Sequence, residues 1–246
     1  MNLKPVKDTL IIAALKSIPD LKRNPLMLIV IGLISAIPLF FLLIFGGQIS
    51  YGLVGALVST VSFIGIAAAI QDITYDRYVK IREMIIAMPV HPVSYAVGVA
   101  LAPLILSIPS LAFFMIIAIW IGALPPSSVG WLFASLILCW AALSGIGFIV
   151  STYLRKASVY TLNNISNILG LGLIFMPPVY YPEEFLGELS WIAMIFPTSN
   201  AAGLIRAYSG LLELPPEMIA LRWALLFATT VISIIVVSLK SRWREA

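Results

Sequence analysis

One cysteine, Cys139, and one histidine, His91, are all that the 246 residues hold of either. A single thiol inside an apolar run closes no disulfide within the chain, and the two residues make no metal-ligand spacing. A lone histidine outside the apolar runs also leaves no two-histidine zinc helix and no serine–histidine dyad inside the membrane. Between Pro89 and Pro92 it reads as a loop residue. No glycine precedes a lysine, so the phosphate-cradling loop G-x-x-x-x-G-K-[ST] is missing and the chain does not hydrolyse ATP by that chemistry. No catalytic residues and no metal ligands are therefore expected. Before the first apolar run there is no apolar core followed by a small-residue cleavage site, so no cleavable signal is expected either.

Charge is also scarce. Asp, Glu, Lys and Arg make up 11% of the chain, against about 25% in soluble domains. Apolar residues reach 61% and the mean hydropathy is +1.05. A water-soluble fold of this size has too little interior for that much apolar surface, so the bilayer is the expected solvent. The basic balance, +4 with a pI near 9.2, comes from short clusters between apolar runs. That is a topology signal, and nucleic acid is not an expected partner.

A span needs about 20 apolar residues to cross about 30 Å of hydrocarbon. Six segments meet or approach this: Pro25–Phe45 with Pro38, Tyr51–Ile70, Tyr95–Ile121 with Pro103 and Pro109, Trp131–Tyr153, Val159–Met176 and Met218–Leu239. Thirteen of the fifteen Lys and Arg residues fall in the amino-terminal segment, in the loops after the second and fourth runs, and in the tail; Arg206 and Arg222 fall on the other side. This predicts a multi-pass protein of the cell (plasma or inner) membrane with both termini cytoplasmic, which agrees with an even number of spans. The expected division is an interfacial segment over 1–24 and one six-span domain over 25–246.

Residues 1–24 repeat Leu3, Val6, Leu10, Ala14 and Ile18 at helical spacing, with Lys4, Lys7, Asp8 and Lys16 mostly elsewhere. The pattern predicts an amphipathic helix lying in the cytoplasmic interface against membrane lipid; a frayed linker is the bland alternative. Asp72–Met88 predicts a charged amphipathic helix or helix pair at the same face. Ile81, Met84, Ile85 and Met88 form its apolar side, and Asp76 and Lys80 a favourable i,i+4 pair beside Glu83. Pro89 ends it and Pro92 keeps the chain extended. A headgroup-bound loop is the alternative. With no ionisable residue in the middle of a span, ion coupling is disfavoured and energy is expected to enter through this cytoplasmic surface.

The fifth run carries Tyr160, Asn163, Asn167 and Gly170 at helical spacing, and the second carries Gly55, Ser59 and Ser62. Polar amides are costly in lipid, so the first set is expected at a subunit interface or on a transport path, with packing inside one subunit as the alternative. The second set suits close helix approach and is likewise expected at the dimer interface or path. Pro177–Glu217 is long, apolar and on the outer side, where Pro197 is placed to start a helix that Thr198 or Ser199 caps.

Two stretches resemble a known family. Glu83-Met84-Ile85-Ile86-Ala87-Met88-Pro89-Val90-His91-Pro92-Val93-Ser94 resembles the cytoplasmic signature of ABC exporter permeases of the type-2 family. Phe175-Met176-Pro177-Pro178-Val179-Tyr180-Tyr181-Pro182, followed by Phe196-Pro197-Thr198 and Leu204-Ile205-Arg206, resembles that family's external segment. The resemblance implies an all-α membrane protein of six spans with three additions. These are the interfacial helix, a coupling helix between spans 2 and 3 (Asp76, Lys80, Ile81, Glu83, Met84, Ile85, Met88, Pro89), and short re-entrant external helices between spans 5 and 6 (Pro182, Glu183, Trp191, Pro197, Arg206). It also implies pairing with a second copy or a related permease, and a separate ABC ATPase subunit that carries the ATP and Mg this chain does not bind. The implied function is outward movement of a substrate. A channel or secondary carrier working without an ATPase is the alternative, distinguished by flux in liposomes without ATP. An intramembrane enzyme and a structural subunit of a larger complex stand further back.

Overall fold

The computed structural model describes residues 4–23, 25–44, 48–78, 90–154 and 156–240. All regular structure among them is helical. Each of the six apolar segments forms a helix: α2 (Leu26–Ile44), α3 (Ile49–Tyr78), α4 (Pro92–Trp120), α5 (Val129–Tyr153), α6 (Val159–Phe175) and α8 (Pro216–Lys240), with α1 (Lys4–Arg23) before them and α7 (Pro197–Ser209) between the last two. Over α3, α4, α5 and α8 the chain is both long and apolar enough to cross a membrane. α6 is apolar but has 17 residues; α2 has 19 and no charged side chain.

α3 is the axis of the bundle. Residues 51–62 are buried on every side, as expected of a helix that is apolar all round. Its ladder widens into a π-turn over Ile64–Ala68, a local device that inserts one extra residue into a turn. Glycines of the neighbouring helices meet it there. Gly147 of α5 lies against the Ile66 carbonyl and Gly170 of α6 against the Phe63 ring, where a Cβ would come within 2.9 Å of either. The start of α4 is fixed by His91, whose Nδ1 accepts from the Val93 N–H at 3.3 Å ahead of Pro92 at the first helical position. The lone histidine is thus a helix cap. α6 is capped by Ser158, which accepts from the Thr161 N–H.

Two expectations change in the fold. Residues 72–78 do not begin a separate charged helix; they prolong α3 well past the predicted end at Ile70. The rest of the expected coupling helix, with Lys80, Ile81, Glu83, Met84, Ile85, Met88 and Pro89, lies outside the described residues. Second, Phe196 and not Thr198 or Ser199 is the cap residue of α7, and it makes no side-chain cap bond. Pro197 at the first helical position sets φ instead, and Thr198 and Ser199 are buried in the bundle.

α1 packs along the first turns of α4. Ala13 and Ser17 face the bundle, while Val6, Leu10, Leu15, Ile18 and Leu21 stand exposed. Ile12 also turns toward α4, against Gly98, so most but not all of the large apolar side chains of α1 face away from the bundle.

Candidate functional site

Polar side chains gather at the two ends of the bundle. Near α1, Asp76 is 1% exposed and both its carboxylate oxygens are engaged. Lys16 of α1 donates to Oδ1 at 2.7 Å, and the Tyr95 hydroxyl of α4 donates to Oδ2 at 2.7 Å. Thr9 adds a hydrogen bond to the Ser94 carbonyl at 3.4 Å. Gly98 lets Ile12 lie against the α4 backbone. A buried carboxylate needs such partners because the unpaired charge is very costly. The pair also closes the base of segment 79–89: Asp76 stands three residues before it, and Tyr95 six after.

On the adjacent face at this end, Gln71 of α3 donates to Ser166 at 2.9 Å and to Asn167 at 3.2 Å, joining α3 to α6. An open cleft beside them is lined by Asp72, Tyr75, Tyr78, Tyr160 and Asn163. Tyr75, Tyr78 and Tyr160 are exposed, at 59%, 72% and 75%.

At the opposite end two arginines are fully buried. Arg206 of α7 donates to the carbonyls of Pro178, Val179 and Tyr181 and stacks over the Tyr51 ring at 4.4 Å. Burial pulls its guanidinium down to about 10, so it stays charged at neutral pH. Arg222 of α8 donates to Glu183 Oε2 at 2.5 Å and to the Ser199 carbonyl. Gly203 makes room for that guanidinium, which a Cβ would overlap. By these bonds the stretch from Pro178 to Glu183 is held down onto α7 and α8.

Tyr180 is the part of that stretch that reaches deepest. Its ring lies against Gly55, where a Cβ would approach within 2.5 Å. Its hydroxyl is 2.6 Å from the Ser59 Oγ and donates to the Ser35 carbonyl of α2 at 3.1 Å. Ser35 in turn pairs with Thr60 at 2.6 Å. The stretch between α6 and α7 thus sends a wedge between α2 and α3.

The residues singled out from sequence separate accordingly. Gly55, Ser59 and Ser62 are buried inside this one chain, and Gly55 and Ser59 receive Tyr180; this small-residue face serves contact within the subunit. On α6, Tyr160 and Asn163 are exposed, Asn167 is half-buried beneath Gln71, and Gly170 packs on Phe63. The stretch between α6 and α7 is helical as short pieces, a 3-10 segment Glu183–Leu189 begun by Pro182 and one α-turn Ser190–Ala193 carrying the exposed Trp191. The sequence places Arg222 only by its side of the membrane and Tyr180 only as part of a pattern; neither has a local signal for its buried role. Arg206 was named for its place in the pattern, and the carbonyls it serves lie 25 to 28 residues away in sequence.

Comparison with protein families gives a match to the model described as ABC-2 type transporter over residues 10–208. That range includes the Lys16–Asp76 pair, the segment 79–89 and all but the last residue of α7. No curated protein and no solved structure matches the chain.

Proposed function

This chain belongs to the ABC-2 type transporter family, a multi-pass membrane transport component, and from that premise we propose that it is the permease of an ATP-driven exporter. Six helices cross the plasma or inner membrane, with α2 and α6 completing the set begun by α3, α4, α5 and α8, and both termini face the cytoplasm. Two copies, or one copy and a related permease, pair in the membrane. A separate ABC ATPase docks beneath each and carries ATP and Mg.

The observation that supports this reading is the clasp at the base of segment 79–89. A helix there, with Glu83 and Met84 seated in a cleft of the ATPase, sits between Asp76 and Tyr95, which are bonded to each other and to α1. Movement of the ATPases is thereby passed to α3, α4 and α1 together. Tyr160 and Asn163 on the exposed side of α6 face the second permease or the path between the two. The external stretch, from Pro182 and Glu183 through Trp191 to Pro197 and Arg206, closes the outer end. ATP binding biases the pair between inward-open and outward-open arrangements through its differing affinity for the two.

The test is co-purification from native membranes. A soluble partner bearing a phosphate-binding loop is expected with the wild-type chain, and its recovery is expected to fall in Glu83→Ala and Met84→Asp while both variants still insert. Equal recovery from all three, or flux in liposomes without any ATPase, sinks the proposal.

A further inference from the structure

The end of α3 and the start of α6 border an open cleft of about 690 Å³. Tyr75 and Tyr78 line it from α3 and Tyr160 from α6, all three exposed. Among the described residues, none of these rings has a hydrogen bond or a stacked aromatic neighbour. At the opposite end of the bundle the exposed Trp131 lies flat on Tyr208 at 4.6 Å and beside Trp223 at 6.1 Å, so those rings cover one another. An interfacial belt explains aromatic residues near either membrane surface, but not three open ring faces meeting on one cleft.

The polar groups between the rings are set mostly to accept. Gln71 spends its amide hydrogens on Ser166 and Asn167, so its carbonyl oxygen is what remains for the cleft. Thr74 gives its hydroxyl proton to the Ile70 carbonyl at 2.6 Å. Asp72, half-buried, adds a carboxylate. Arg77 donates to the Ser151 carbonyl of α5 at 2.5 Å and does not line the cleft. A ring face is the negative side of the aromatic quadrupole and attracts a cation held within about 6 Å. One carboxylate is a poor shell for a calcium ion, which takes about six to eight oxygens. Three rings suit a bulky organic cation, and the cleft has the size of a small-molecule site.

We propose that the α3–α6 cleft binds a quaternary ammonium group among Tyr75, Tyr78 and Tyr160. The ammonium belongs either to a soluble organic cation or to a choline lipid headgroup. Tyr160 and Asn163 were assigned above to the subunit interface or the path, so as a cargo site the cleft rests on the exporter reading; as a binding site it does not.

The full chain, purified without any ATPase in dodecyl maltoside, is titrated with benzyltrimethylammonium by saturation-transfer NMR. Choline is expected to displace the probe. Its carbon isostere 3,3-dimethylbutan-1-ol, the same skeleton without the charge, is expected to do so about tenfold more weakly. Tyr75→Leu and Tyr160→Leu should each weaken binding about threefold, whereas Tyr160→Phe, which keeps the ring face, should leave it unchanged. All three positions are exposed, so the variants disturb no core. Added phosphatidylcholine displaces the probe if the ammonium is a headgroup and leaves it if the ligand is soluble. Equal displacement by choline and its isostere overturns the site, as does wild-type binding in both leucine variants or an equal loss in Tyr160→Phe and Tyr160→Leu. Loss of the site with the ATPase still co-purifying leaves the exporter reading standing; cation binding by a chain that recruits no ATPase does the reverse.

Discussion

Lys16 and Asp76 meet at 2.7 Å across sixty residues of sequence, and this one ion pair joins the amino-terminal helix to the last turns of α3. Asp76 is buried, whereas Lys16 keeps 21% of its side chain exposed. Removing the lysine leaves a desolvated carboxylate with only Tyr95, and buried pairs broken on one side lose about 3–5 kcal/mol. The exposure of Lys16 reduces that, so Lys16→Ala is expected to cost about 2 kcal/mol. Asp76→Asn should cost less, and the double variant less than the sum. Thermal unfolding of the four proteins measures the coupling energy; a value near zero means that the two helices are not joined by this pair.

Tyr180 and Gly55 form a lock that tolerates change in only one order. Tyr180→Phe keeps the ring but takes the hydrogen-bond partner from the Ser59 hydroxyl and the Ser35 carbonyl, at about 1 kcal/mol. Tyr180→Ala empties the slot and is expected to cost about 3–5 kcal/mol. Gly55→Ala drives a methyl into the ring and should be destabilising alone, yet nearly silent in the Tyr180→Ala background. Unfolding temperatures of the single and double variants decide it; additive effects would show that the two do not share the slot.

Gly203→Ala should act as a substitution of Arg222 in disguise. The added methyl overlaps the guanidinium, and Arg222 must leave Glu183. We expect Gly203→Ala and Glu183→Gln to raise protease cleavage within 178–190 by similar factors in reconstituted protein, with no further rise when combined. A clear gain on combination would separate Gly203 from the ion pair.

Paired permeases predict a short distance between two copies of α6. In a Cys139→Ala background, Tyr160→Cys and Asn163→Cys should give disulfide-linked dimers in native membranes under mild oxidation. Ile116→Cys, on the exposed side of α4, should give none. Cross-linking as strong at Ile116 as at Tyr160 would place the interface elsewhere.

Most helices were legible because apolar run length is a one-dimensional property, and α2 to α6 and α8 begin within three or four residues of the expected positions. The side of a helix that meets another is not one-dimensional. Gly55 and Ser59 pointed to close helix approach at an interface or path, whereas the neighbour they receive is Tyr180 of the same chain, from a loop more than a hundred residues later. Asp76 looked solvent-facing because Lys80 follows it at helical spacing. Its actual partner, Lys16, sits in a segment whose polar residues all read as headgroup contacts. The buried roles of the two arginines have no sequence signal for a related reason: their partners are mostly backbone carbonyls.

Tyr180 has one more consequence, for the making of the protein. α2 and α3 leave the ribosome as a hairpin whose shared slot stays empty until residue 180 follows, 121 residues after Ser59. At about 5–20 residues per second, that gap lasts some seconds. During it the slot is open to lipid or to an insertion factor, so α2 and α3 finish assembling only when the stretch after α6 has been delivered. A truncation after Tyr153 should therefore leave the earliest part of the molecule unfinished, although every residue of it has been made.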